Sequence, residues 1–190
     1  MISLKDYLGS IVLSMEMMVV TDIEGHELDS ERGMTRWLDV TREVKHANAT
    51  MYFVGNGASA MMSSHMAADA SKNGGFRSQA FNDTALMTAV SNDIAYEECF
   101  ASPLRRFADR GDILVTISSS GDSPNIIRSI EAGRELGLYI ITLTGMKPGN
   151  RSRRMGDLNF YIPAVTYGQV EVSHQAILHF WLDRFIEEDK

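Results

Sequence analysis

The chain has 190 residues, 44% of them hydrophobic, and a formal net charge of −7. That apolar content suits one α/β domain with a sizeable core and excludes a disordered chain, while the acid excess leaves no cation surplus for general nucleic-acid binding. Cys99 is the single cysteine, which excludes an intramolecular disulfide framework and a cysteine-only zinc cluster. No stretch approaches the roughly 20 apolar residues of a membrane span. The segment after Met1 meets Glu16 and Asp22 early and lacks the form of a signal peptide, so a cytoplasmic protein without a membrane partner is expected.

In chain order, residues from about 3 to 20 and from 29 to 46 carry helical periodicity, the second through Met34, Trp37, Leu38, Thr41 and Val44. Gly25 and the charges between Asp22 and Leu28 mark the turn between them. Residues 1–50 therefore read as an N-terminal helical segment, and 51–190 as a sheet-containing domain joined to it in one structural unit. Met51 to Val54 form a first strand, leading into Gly55-Asn56-Gly57-Ala58-Ser59-Ala60. Ile113 to Ile117 form a second, β-branched and apolar, leading into Ser118-Ser119-Ser120-Gly121-Asp122-Ser123-Pro124 and an amphipathic helix from Asn125. Tyr139 to Leu143 and Asn159 to Ile162 complete the set, the last ending at Pro163. Strands separated by helices predict an α/β fold with a doubly wound parallel sheet, whose ligands bind outside the C-terminal strand edges. The glycine and serine loops both fall there.

The serine loop offers hydroxyls and backbone N–H groups at a helix N-terminus, where the dipole favours an anion. The plain alternative is that Ser123 is only an N-cap and the other serines fill a polar turn. Glycine at 55 and 57 lets the backbone approach a ligand closely or adopt positive φ. Neither loop is a dinucleotide fingerprint, because the third glycine is missing, nor a P-loop, because no Gly-Lys-Ser/Thr follows. Two hydroxyl-rich strand–helix turns without lysine suit one small phosphate, such as that of a sugar phosphate.

Further along, His65 and Asp69 stand four apart, on one face of a helix. Glu171, Gln175, His179 and Asp183 repeat every four residues through an otherwise apolar helix. His65, Asp69, Glu171 and His179 together offer imidazole and carboxylate donors for a tetrahedral divalent-metal site, with zinc the leading candidate. Against this, His-x-x-x-Asp is an ordinary surface pair in many helices, and the polar stripe would equally suit an oligomer interface. His174 sits at the edge of the stripe as a structural or substrate-adjacent residue. His26 and His46 lack clustered partners and read as solvent-facing.

Taken together, Gly55-Asn56-Gly57-Ala58-Ser59, His65-Met66-Ala67-Ala68-Asp69, Ser91-Asn92-Asp93, the run from Ile117 to Ser123, Ile141 to Gly145 and Glu171 through His179 make the chain resemble the sugar isomerase (SIS) domain family. Within it, the resemblance is to the phosphoheptose isomerases. It implies aldose–ketose isomerisation of a phosphorylated sugar through an enediol, sedoheptulose 7-phosphate to D-glycero-D-manno-heptose 7-phosphate being the expected pair. It also implies a homotetramer with the N-terminal helices in its core and active sites lined by more than one subunit. Ser59, Ser118, Ser119, Ser120 and Ser123 are then expected to hold the phosphate, and Asn56 and Asp93, beside Gly57, to contact the sugar. In the family the four metal positions carry His, Glu, Gln and His, with zinc bound; here they carry His65, Asp69, Glu171 and His179. Asp69 becomes the candidate base and His179 the candidate acid. The chain departs from the family pattern in having Asp69 for Glu, Glu171 for Gln, and a Thr166-Tyr167-Gly168-Gln169 loop one residue short that lacks a substrate-contacting Asp. Two other readings remain open here: a phosphosugar enzyme of altered specificity, and a non-catalytic tetrameric scaffold that binds the replication initiator protein.

Overall fold

The computed structural model describes residues 2–189. Helix α1 (Leu4–Glu16) starts where the Ser3 hydroxyl accepts the Asp6 N–H, and it is followed by the hairpin strands β1 (Val19–Asp22) and β2 (Glu27–Leu28). Helix α2 (Ser30–Ala47) is capped by the Asp29 carboxylate and closes at Asn48 in the left-handed conformation. The chain then alternates: β3 (Thr50–Gly55), α3 (Ala58–Lys72), β4 (Arg77–Ala80), α4 (Thr84–Asp93), α5 (Ala101–Phe107), β5 (Ile113–Ser118), α6 (Pro124–Leu136), β6 (Tyr139–Gly145), β7 (Leu158–Ile162) and α7 (Tyr167–Glu188). Pro124 opens α6 and Gly137, at φ 80°, closes it. Thr166 and Gln169 form a reciprocal capping box at the start of α7.

The seven strands lie in the order β2-β1-β7-β6-β5-β3-β4. From β7 to β4 every pairing is parallel, as expected. The N-terminal segment departs from the helical reading: α1 stops at Glu16, and Val19 to Asp22 then pair antiparallel with β7 and, through Val20 and Thr21, with β2. The β-branched pair Val19-Val20 suits the strand state, and Asp22 holds the tight turn by accepting the N–H groups of Glu24 and His26. β4 also escapes the sequence pattern, because as an edge strand it alternates exposed and half-buried polar residues.

The pleat divides the core in two. Met51, Phe53, Ile113, Val115, Ile117, Ile141 and Leu143 face α2, α3 and α7, whereas Tyr52, Val54, Leu114 and Ile140 face α5 and α6. On the first face Trp37 stacks on Trp181 with ring centroids 4.8 Å apart. The Trp181 indole donates to the Thr41 hydroxyl, which in turn donates to the Trp37 carbonyl. Helices α2 and α7 are thereby fixed to each other and to the sheet. β3 has β4 on one side and β5 on the other, so chain direction across the sheet reverses between β3 and β5. That reversal opens a crevice at the C-terminal ends of these two strands.

Candidate active site

The crevice contains a cavity of ≈ 290 Å³ lined by the turn after β3 (Asn56 to Ser59), the turn after β5 (Ile117 to Ser120, with Ser123), and Tyr167 and Glu171 from α7. Its walls follow from close backbone packing. A Cβ on Gly55 would fall 2.6 Å from the Ser59 carbonyl oxygen, and one on Gly121, at φ 65°, would fall 2.0 Å from the Asn150 side-chain oxygen. Only glycine lets the two turns fold back tightly enough to form a concave floor. Both helices that start here, α3 after Gly57 and α6 after Ser123, lack a side-chain cap. Ser123 is the N-cap residue of α6, but its hydroxyl makes no capping hydrogen bond and is left facing the cavity.

The hydroxyls are under-satisfied. Ser119 Oγ is buried without a hydrogen-bond partner, as are Thr116 Oγ1 and Thr144 Oγ1 on the adjoining strands. Buried polar atoms are nearly always paired in folded proteins, and of these three it is Ser119 that lines the cavity, where its hydroxyl is available to a ligand. No lysine or arginine lines the cavity, and Glu171 is its one carboxylate. An anion here would rest on hydroxyls, backbone amides and helix termini.

Asn56 is held by residues the sequence pattern did not single out. Its amide exchanges hydrogen bonds with that of Asn125 at 2.9 and 2.8 Å, and Tyr96 donates its hydroxyl to Asn56 Oδ1 at 3.0 Å. Asn125 also donates to the buried Cys99 sulfur. Because Asn56 Oδ1 accepts twice, the orientation of its amide is fixed, and the N–H of Nδ2 not given to Asn125 is the part left for a ligand. Asp93, expected beside the sugar, lies instead at the exposed C-terminus of α4, where it accepts from Asn92 and does not line the cavity.

The second group of chemical interest lies along the α3–α7 groove. His65 Nε2 stands 3.3 Å from Asp69 Oδ2, and the His65 and His179 rings meet edge to face with centroids 5.3 Å apart. One donor atom from each of His65, Asp69 and His179 lies within 4.8 Å of the others. Glu171, the fourth expected ligand, is not in this cluster: the rise of a helix over eight residues is about 12 Å, which carries it to the serine cavity. Two nitrogens and one carboxylate oxygen are a donor set that zinc accepts, and around a tetrahedral ion neighbouring donors sit about 3.4 Å apart, close to the observed His65–Asp69 spacing. Three protein donors would leave one position open, the arrangement of catalytic and not of structural zinc sites. The residues thus fit a divalent ion.

His174 lies between the two groups and is fully buried. Its Nε2 is 3.1 Å from the Thr144 carbonyl, which can only accept, so Nε2 carries the proton. Burial outweighs that bond and brings its pKa down to about 4, leaving a neutral ring. His26 and His46 are exposed, as expected, but His26 does not lack clustered partners: the β1–β2 turn brings its Nδ1 to 3.2 Å from Asp22 Oδ2 and 3.6 Å from Glu24 Oε2.

Comparison with known proteins agrees with this geometry. Residues 29–145 match the SIS domain family. The phosphoheptose isomerase of Akkermansia muciniphila is 33% identical over 145 residues, covering 73% of this chain and 76% of that protein. Among solved structures, a phosphoheptose isomerase from Francisella tularensis superposes with a TM-score of 0.84 at 22% identity, covering 99% of this chain and 100% of that one. One from Neisseria gonorrhoeae gives 0.81 at 22% identity, covering 95% and 96%. With a reversal-point cavity of glycines and serines, a His–Asp–His cluster on the flanking helices and these likenesses, the chain belongs to the SIS domain family and, within it, resembles the phosphoheptose isomerases.

Proposed function

We propose that the chain is a phosphosugar isomerase that interconverts sedoheptulose 7-phosphate and D-glycero-D-manno-heptose 7-phosphate. The observation that carries this reading is the pairing, on α3 and α7, of an uncapped hydroxyl cavity with a cluster of proton-carrying and metal-ligating side chains. The names of the relatives support the same class of reaction.

Ser59, Ser118, Ser119, Ser120 and Ser123 would receive the phosphate, and Asn56 a sugar hydroxyl. When bound to His65, Asp69 and His179, a divalent ion such as zinc supplies Lewis-acid polarisation of the substrate oxygens. Asp69 takes the proton from C1 of the ketose; the C–H pair becomes the C1–C2 double bond while the carbonyl pair moves to O2, which takes a proton from His179. The resulting enediol collapses the other way. O1 loses its proton to His179, C2 gains the one held by Asp69, and the aldose remains with no net change in atoms or electrons. Glu171, on the wall of the phosphate cavity, is suited to accept hydroxyl hydrogens of the chain between phosphate and carbonyl.

Assembly as a homotetramer belongs to the same proposal. The outer face of α1 exposes Leu4, Leu8 and Val12, and α7 exposes Val172 and Phe180 at 48% each. Apolar stripes of this length on two helices call for a covering surface, and further copies of the chain provide it. None of the described helices is long and apolar enough to cross a membrane.

The deciding experiment is turnover of sedoheptulose 7-phosphate by the purified, chelator-treated protein with and without added zinc. Zinc-dependent appearance of the aldose phosphate is expected. Absence of turnover in both conditions, with phosphosugar binding intact, would refute the isomerase reading.

A further inference from the structure

The serine loop and α7 are joined by a short relay that neither group's own chemistry requires. The Gly145 N–H donates to the Ser119 carbonyl at 3.1 Å, tying the end of β6 to the loop after β5. One residue earlier, the Thr144 carbonyl accepts from His174 Nε2. One helical turn before His174, Val170 packs so closely on Gly145 that a Cβ there would meet its Cγ1 at 2.5 Å. Asn150 fastens the same point from the other side, donating to the Gly145 carbonyl while its side chain fills the space beneath Gly121. The face of α7 that bears Val170 and His174 is therefore seated on residues 144–145, and those residues are seated on Ser119.

We propose that His174 is a positioning residue that couples the phosphate cradle to the proton-transfer helix, through Thr144, Gly145 and Ser119. Its hydrogen bond sets how far along and how close to the sheet α7 lies, and α7 delivers both Glu171 to the cavity and His179 to the His65–Asp69 pair. Of the side chains on α7, His174 is the fully buried one that spends a ring N–H on the sheet edge. A purely structural position at this depth would be served by an apolar side chain, which would not leave His174 Nδ1 buried without a partner. The inference rests on the isomerase reading for its kinetic consequence but not for its structural one.

The test uses the full chain loaded with zinc and compares His174→Leu, which fills the space without a donor, with His174→Gln, whose Nε2 restores one. Misplacement of reacting groups by about an ångström costs on the order of a hundredfold. His174→Leu should therefore stay folded, lose about 10- to 100-fold in kcat/KM with both kcat and KM affected, and show faster hydrogen exchange at the Gly145 amide. His174→Gln should return to within about threefold of the parent. A leucine variant with unchanged kcat/KM and unchanged Gly145 exchange overturns the proposal, as does a folded glutamine variant impaired as much as leucine. Should leucine not fold, His174→Asn, too short to reach Thr144, takes its place with the same expectations. If the parent itself has no isomerase activity, the isomerase reading fails separately, and Gly145 exchange in the two variants still decides the coupling.

Discussion

The serine cradle and the His65–Asp69–His179 cluster are built on opposite principles. The cradle is made of backbone, glycines and short hydroxyl side chains at the sheet edge, held at the ends of two strands that are buried throughout. The cluster is made of longer side chains on two helix faces, with His65 half exposed and no charged partner beyond its own members. The first is preorganised by covalent geometry and by positive-φ glycine, the second by how two helices pack. Recognition of the phosphate should therefore tolerate changes in the cluster, whereas catalysis should not tolerate changes in either.

Asp69→Asn tests that separation most strongly. It should lower kcat by about 10²- to 10⁴-fold, the usual contribution of a positioned proton carrier, and leave phosphate affinity within about twofold. Kinetics alongside calorimetric titration with inorganic phosphate would check it, and parallel loss of both would erase the distinction between the two regions. Acid should act on the element that joins them. The folded pKa of His174, about 4, lies below its ordinary 6.5, so on acidification the unfolded chain takes up the proton first. The associated stability is intact above pH 6.5 and is lost progressively between pH 6.5 and 4, by up to about 3 kcal/mol. Urea midpoints across that window should fall in the parent and fall less in His174→Gln.

Gly121→Ala probes the rigidity of the cradle. The added Cβ meets Asn150 and the backbone is left-handed, so a loss of about 2 kcal/mol in stability together with phosphate binding is expected from denaturation and titration. Ser119→Ala has the smallest effect and the most telling sign. Removing a buried hydroxyl that has no partner should leave the ligand-free protein as stable or slightly more so, yet weaken phosphate binding about tenfold. Thermal unfolding with and without phosphate would show the two changes moving in opposite directions.

The same contrast explains what could be read before the fold was seen. Hydroxyls and glycines contiguous in sequence after β-branched runs advertise a strand–loop–helix turn, so the cradle was legible almost residue by residue. The His65–Asp69 pair was legible from its spacing of four. His179 joins that pair in the structure, whereas Glu171, grouped with them on helical periodicity and on the family resemblance, lies on the cavity wall, because periodicity says which face a residue shares and not how far along the axis it sits. The Asn56–Asn125–Tyr96 network was invisible because it joins residues 69 and 40 positions apart, with no local pattern to announce it. The hairpin of β1 and β2 was hidden by its brevity and its charged turn. The parallel core was legible because its strands are buried on both faces and read as apolar runs.

Beneath Asn125 lies the molecule's single thiol, Cys99, buried, with burial pushing its pKa up. A reagent can reach it only when the Asn56–Asn125 pair parts or the surrounding helices open. Its labelling rate thus serves as a built-in clock for breathing of the cavity wall that Asn56 forms, and slowing of that clock by an added sugar phosphate would report closure without any engineered probe.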